Sequence, residues 1–426
     1  MINKCFVHSS CNYRNHQLRQ QKESIPQLSL SEFLEEPAAP EPRSVMLENP
    51  FDISHPPTPK MFFGRSAEIE KMQRELCDAP QGRALVLHGP RRSGKTSICA
   101  NFLENQVQPP FWGVLFSLLS YVEHDEETIL AQIADAISDQ FRKQLHQRGP
   151  AWDDFLDNDP HDRFRKFLEY CLDQVPHSRL ILILDEFGGA IESYKRRILH
   201  DRFFSLWKEL MERISQLSLV FVLPTSSHNW LTSKKFNNVF SFAGTLPLEF
   251  LDTSSARQLL VDPLQEQGIQ VLPTTGALAV KITGGNPYYL ALIGRELISY
   301  LNREINQQRI TDRDLRLIID QLIQPGTHQY FDYLRGELQT EIEMRIIQGL
   351  VEITLRTRES KVLSRRLSSW MNLSFPVTRR HLDRLRDGLI LNETGSLSNP
   401  YYSFKIELIR KWLTRNQWFF LNEQRG

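Results

Sequence analysis

The sequence predicts an α/β fold: a parallel sheet with helices on both faces, followed by an all-helical region and a small helix-and-hairpin unit. Three observations predict it. A glycine-bounded loop carrying a lysine and a threonine separates the apolar run Leu85-Val86-Leu87 from a helical pattern that starts at Lys95. A second apolar run, Leu180-Ile181-Leu182-Ile183-Leu184, ends in the acids Asp185-Glu186. Strand and helix patterns then alternate up to residue 251, after which the apolar spacing turns helical.

Each element can be justified in order. Residues 1–48 are polar and proline-bearing and read as a disordered tail; only 28–34 suggests a short helix or docking peptide. Cys5, His8, Cys11 and His16 fit no standard zinc spacing. The prolines at 56, 57 and 59 hold an extended approach to Met61-Phe62-Phe63-Gly64-Arg65. Ser66 can cap a helix to residue 77, with Ile69, Met72 and Leu76 on one face. A strand over 111–118, helices over 126–146 and 160–174, and the strand over 179–185 follow. A helix is expected over 203–217, a strand over 219–223 and a fifth strand over 246–251. Helices over 253–261, 275–283, 287–301, 311–322 and 329–338 make a lid. Three more (341–355, 363–371, 376–387), two short apolar stretches and a last helix over 407–416 follow the winged-helix plan. The domains expected are thus 1–48, 49–251, 252–338 and 339–426.

Composition sets outer limits. The 426 residues suffice for two or three domains, and the net charge is zero, so no global charge argues for nucleic acid. Charge is unevenly spread: residues 340–426 hold 15 Lys+Arg against 9 Asp+Glu. Five scattered cysteines suit a reducing compartment, and no apolar run or signal-like leader suggests a membrane or secretion. The expectation is a soluble, cytoplasmic protein without membrane contact.

The loop carries the chemistry. Gly89-Pro90-Arg91-Arg92-Ser93-Gly94-Lys95-Thr96-Ser97 fits the phosphate-loop pattern G-x-x-x-x-G-K-[ST] in full. Glycines let backbone N–H groups turn toward β- and γ-phosphates, and Lys95 adds a point charge on the same oxygens. Thr96 offers a hydroxyl to Mg²⁺, and the helix begun at Lys95 adds its positive end. Asp185 is the expected Mg²⁺-holding acid at the strand tip, and Glu186 the group that polarises the attacking water. Glu186 and Lys95 are the catalytic candidates, with Thr96 and Asp185 as metal ligands. Thr225 or Ser226, at the tip of the next strand, can sense the γ-phosphate. In the last unit, Leu382 and Leu385 face inward and leave Arg379, Arg380 and Arg384 for solvent or for DNA phosphates.

With these residues in hand, the chain resembles the STAND and archaeal-type ATPases of the AAA+-related P-loop class. The resemblance rests on Phe63-Gly64-Arg65, Gly89 to Thr96, Asp185-Glu186, a polar strand tip, Gly285-Asn286-Pro287 and the winged helix, in that order. It implies that Phe63 and Gly64 flank adenine, that Arg65 reaches toward the ring or the phosphates, and that Pro287 closes on the base from the lid. ATP is favoured, because no Asn-Lys-x-Asp element for guanine occurs. It further implies a nucleotide-controlled switch acting on a protein partner or on self-assembly. Its input module is missing or supplied by another protein, since no repeat array follows the winged helix. The alternative is a DNA-acting ATPase of the origin-recognition or transposition-regulator type. A scaffold that binds nucleotide without hydrolysis is a third reading. Arg196, Arg197, Arg202 and Arg213 read as surface charges, not as an arginine finger. Arg91 and Arg92 fit a family habit, a solvated crown or a subunit contact equally.

Overall fold

Period-two alternation in the apolar strands builds the sheet. The computed structural model describes residues 46–146, 148–157, 159–232, 240–304, 307–396 and 398–417. The tail residues singled out above, from Cys5 to Leu34, lie outside them. Strands β1 (Ala84–Gly89), β2 (Phe111–Ser117), β3 (Arg179–Asp185), β4 (Leu217–Pro224) and β5 (Ala243–Pro247) form one parallel sheet in the order β2-β3-β4-β1-β5. Leu85, Leu87, Ile181, Ile183, Val220 and Val222 face α1 (Ser66–Leu76) and α2 (Lys95–Asn105). Val86, Leu180, Leu182, Leu219 and Phe221 face the aromatic core of α3 (Glu126–Leu145), α4 (Pro160–Asp173) and α6 (Asp201–Arg213). Burial on both faces is what makes these strands near-continuous apolar runs.

Several local expectations shift. The fifth strand lies at Ala243–Pro247, earlier than 246–251; beyond it Leu251 bonds to the lid, its amide donating to the Gly285 carbonyl at 3.0 Å. Helices α5 (Gly188–Lys195) and α7 (Thr225–Leu231) were too short and polar to register as periodic patterns. Ser66 does not cap α1. Arg65 precedes the helix in the left-handed region, φ 73°, and Gly64 before it has φ 70°. That double left-handed turn sends the Arg65 side chain beneath the phosphate loop.

The helical region contains α8 (Thr253–Glu266), α9 (Pro273–Thr283), α10 (Pro287–Leu301) and α11 (Asp312–Leu322), with a short parallel pair β6 (Gln270–Val271) and β7 (Arg309–Ile310). Where one helix was expected over 329–338, the chain makes a 3-10 turn and then α12 (Tyr333–Glu337). The last unit has α13 (Glu341–Thr357), α14 (Ser364–Met371), α15 (Phe375–Asp387) and α16 (Glu407–Arg415). Its antiparallel sheet has three strands, order β8-β10-β9, from Val362–Leu363, Tyr401–Phe404 and Leu391–Thr394. The two-residue β8 escapes any periodicity test.

One core runs through the helical region and the last unit: Leu290, Ile293 and Leu322 join Ile347, Leu350 and Trp412. Phe331 stacks on Trp412 at 4.7 Å between ring centroids. The described residues accordingly form a single unit. The strap at 46–63 is part of it. Leu47, in the stretch read as tail, donates to Asn302 Oδ1 at 2.8 Å and accepts from its Nδ2 at 3.0 Å. Phe51 is buried against Gly294, where an added Cβ would lie 2.5 Å from the ring.

Candidate nucleotide-binding site

Strand order positions the site. β4 lies between β1 and β3, and Gly89 pairs with Pro224. The tips of β1, β4 and β3 therefore bring the phosphate loop, Thr225 and Asp185 to one sheet edge, where such folds bind ligands.

The loop leaves β1 at Gly89. A Cβ there would sit 2.2 Å from the Leu248 carbonyl oxygen, so Gly89 is required by close backbone packing as much as by turning. Arg92 and Gly94 take positive φ, 62° and 93°. Ser93 is fully buried and its hydroxyl has no hydrogen-bond partner. Lys95 opens α2; its Nζ donates to the carbonyls of Pro90 (2.8 Å) and Gly89 (3.1 Å). Burial pulls the Lys95 ammonium below its ordinary value, while the charges of Glu186, Glu337 and Asp185 pull it back up. Ser97 lies in the first turn of α2.

Thr96 Oγ1 donates to Asp185 Oδ2 at 2.7 Å, which joins the loop to the acidic strand tip. Asp185 Oδ1 accepts from the Glu186 amide at 2.9 Å. Glu186 is held in the left-handed region, φ 52°, a conformation costing a non-glycine residue roughly 1–3 kcal/mol. Hard oxygen donors on Thr96 and Asp185 suit Mg²⁺, and a buried hydroxyl without a partner beside a turn of amides suits a phosphate.

The Gly-Arg element lies beside the loop. The Arg65 side chain is 7% exposed, and its Nη2 donates to the carbonyls of Ser93 (3.0 Å) and Glu249 (2.7 Å). It braces the loop from below. Gly64 faces α8, where a Cβ would lie 2.7 Å from Ser255 Oγ, and Phe63 packs against the helical core. Pro287 does reach the loop: a Cβ on Gly94 would be 3.9 Å from its Cγ. Thr225 and Ser226 line a cavity of about 320 Å³ with Glu337, Glu343 and Arg384.

Two of the three arginines proposed for DNA are already engaged. Arg379 Nη2 donates to Glu393 Oε1 at 2.9 Å, and its Nε lies 3.0 Å from Asp383 Oδ1. Arg384 Nη1 is 3.1 Å from Glu343, and Nη2 donates to Gln339, so this residue faces the cavity rather than a duplex. Only Arg380 of the three is exposed. Packing brings these groups together: Glu393 comes from β9 and Glu343 from α13, partners that sequence spacing cannot show. Arg196 and Arg202 likewise pair, with Glu123 and Asp159.

Sequence reasoning missed Glu337, and it missed the histidines. His88, on β1, stacks on His228 of α7 at 3.8 Å. Nothing in the order of residues marks either pairing.

Residues 61–222 match the family model of the AAA ATPase domain. No curated protein matches the chain. Among solved structures it is similar to the Walker-type ATPase PABY2304 of Pyrococcus abyssi, with TM-score 0.60 and 16% identity over 85% of this chain and 99% of that one. It is also similar to the ORC2 protein of Aeropyrum pernix in ADPNP–ADP complexes, with TM-score 0.60 and 13% identity over 89% of this chain and 99% of that one. At such identities the likeness is one of fold. The chain thus has a P-loop NTPase fold, within which residues 61–222 are similar to the AAA ATPase domain. Among the described residues no helix is long and apolar enough to cross a membrane.

Proposed function

We propose that the chain is an ATP-binding and ATP-hydrolysing switch of the STAND or AAA+ type, in which nucleotide at the phosphate loop sets the position of the helical lid and of a C-terminal winged helix. The observation that carries this is the 2.7 Å bond between Thr96 and Asp185. It supports reading the two as a metal-holding pair, because it joins the start of α2, just after β1, to the tip of β3, and those strands are not neighbours. Thr96 and Asp185 would hold Mg²⁺, which supplies neutralising charge to the phosphates. Lys95 would leave the Gly89 and Pro90 carbonyls for phosphate oxygens. Glu186 would orient a water and accept its proton. The helix–strand order α13-β8-α14-α15-β9-β10 supports the winged-helix reading.

The closeness of Pro287 to Gly94 supports a lid that feels the phosphates directly. Such a lid couples nucleotide state to the last unit, because the two share one core. The 61–222 match and the fold likeness to two nucleotide-handling proteins are consistent with this reading.

The test is equilibrium ATP binding and single-turnover hydrolysis with Mg²⁺, in the parent, Lys95→Ala and Glu186→Gln. The parent should bind and hydrolyse, and Lys95→Ala should bind no ATP. Glu186→Gln should bind normally and hydrolyse roughly 10²–10⁴-fold more slowly. Equal hydrolysis, near background, in the parent and in Glu186→Gln would favour the non-hydrolysing scaffold.

A further inference from the structure

Arg91 and Arg92, at the tip of the phosphate loop, contact a distant part of the chain. They grip the segment 329–337, which connects the lid helices to the last unit. Arg92 donates to the carbonyls of Tyr330 and Gln329, and its guanidinium lies 3.9 Å over the ring of Tyr288 and 4.8 Å over that of Tyr333. Arg91 Nε is 3.4 Å from Glu337 Oε1. Gly336 sits beside the same guanidinium: a Cβ there would be 3.7 Å from Arg91 Cζ.

Glu337 is the unusual member. Its side chain is only 7% exposed, and Oε1 has no hydrogen-bond partner. Burying an under-satisfied carboxylate is costly, and a structural ion pair would normally be built with better geometry. Burial pushes this carboxyl above its ordinary range; the Arg91 side chain, Lys95 and the backbone amide of Arg91 pull it back. The same carboxylate in turn pulls Lys95 up, and the charge of Glu186 adds to the rise of Glu337. Arg91 thus contacts this carboxylate, and a loop amide and the loop lysine draw it down, groups of the kind that a phosphate-binding loop offers to its ligand.

The segment cannot move by itself. Phe331 and Leu334 are fully buried; Phe331 stacks on Tyr289 at 5.5 Å as well as on Trp412. Tyr289 follows Pro287 and Tyr288 in α10, and its hydroxyl donates to the Tyr330 carbonyl at 3.0 Å. Withdrawing Glu337 from the loop therefore requires α10 or the last unit to shift.

We propose that 329–337 is an internal occupant of the phosphate-loop mouth, with Glu337 as the residue that discriminates diphosphate from triphosphate. The inference rests on the nucleotide-binding reading above and deepens it. With Glu337 in place, the additional negative charge of a γ-phosphate meets a fixed buried carboxylate, so the latched form favours ADP. A triphosphate is accommodated when Glu337 leaves, and its departure releases Arg91 and Arg92 from the segment and frees the lid and last unit to move. The cavity between Thr225, Ser226 and Arg384 borders Glu337 and gives the segment room to retreat.

The test is titration of the full-length chain with Mg-ADP and with Mg-ADPNP, a non-hydrolysable triphosphate, in the parent, Glu337→Gln and Glu337→Asp. Glu337→Gln, which keeps shape and removes charge, should shift the ratio of the two dissociation constants toward the triphosphate by about tenfold, the scale of one partly screened charge at close range. Glu337→Asp, which keeps the charge, should stay near the parent ratio. Tight binding of both ligands with an unchanged ratio in Glu337→Gln overturns this inference and leaves nucleotide binding intact. An equal shift in Glu337→Asp overturns it too, because packing rather than charge would then be responsible. A parent chain that binds neither ligand overturns both readings.

Discussion

At the scale of the residue, the same side-chain type does opposite work depending on what packs beside it. Arg380 is exposed, while Arg379, its neighbour in sequence, is bound to Glu393. Glu393 also accepts from Arg386 Nη1 at 2.7 Å and from the Tyr402 hydroxyl at 3.0 Å. Burial alone would raise this carboxyl; Arg386, Arg379 and Tyr402 outweigh it and hold the group below its usual range. Glu393 is thus the centre of the last unit's polar network. Glu393→Gln should destabilise the fold by about 2 kcal/mol, as charge-assisted bonds weaken and two guanidinium groups lose their counter-ion. Urea denaturation of the parent and the variant checks it, and a loss within a few tenths would show the network to be solvated.

At the scale of the element, the Gly284-Gly285-Asn286-Pro287 break joins three parts of the molecule. Asn286 caps α10, its Oδ1 accepting the Tyr289 amide at 3.2 Å. Gly285 has φ 78°, and a Cβ there would stand 2.3 Å from the Leu251 carbonyl oxygen. Neither the conformation nor the backbone contact can adjust without moving the end of the sheet. Gly285→Ala should cost at least about 1–2 kcal/mol from the left-handed conformation alone. It should also weaken nucleotide affinity by displacing Pro287 from Gly94. Thermal unfolding and ADP titration read the two effects separately. Much of this element was legible in the sequence: glycine pair, cap and first-turn proline are local signals. That Gly284 packs on the Lys405 carbonyl, with a Cβ only 2.3 Å away, was not, because the partner lies far along the chain.

At the scale of the whole molecule, charge buried near the site makes stability depend on pH. Burial, then His228, then Lys95 pull the imidazole of His88 down from 6.5 to about 4. His228 is lowered by its own burial. Below about pH 6.5 the unfolded chain takes up a proton that native His88 refuses until about pH 4. The unfolded state then binds more protons, so stability falls as pH drops through that window. The melting temperature of the parent should decline from pH 6.5 to 4 more steeply than that of His88→Gln. Parallel declines would show that His88 titrates freely in the folded protein.

The sequence by itself determined what depends on neighbours along the chain. The phosphate loop needs its glycines, lysine and threonine in consecutive places, and a strand buried on both faces needs an unbroken apolar run. The α/β fold, the loop, Asp185-Glu186 and the helix-starting Pro287 were all legible for that reason. Tertiary structure alone decided which strand separates β1 from β3, that Arg65 donates to the Ser93 and Glu249 carbonyls, and that Arg379 and Arg384 pair with Glu393 and Glu343. It also decided that Glu337 meets Arg91 of the phosphate loop. Short elements such as β8 and α12 carry too few residues for a period, and ion pairs between distant segments carry none. Their geometry exists only once the apolar faces have packed and fixed which charges meet.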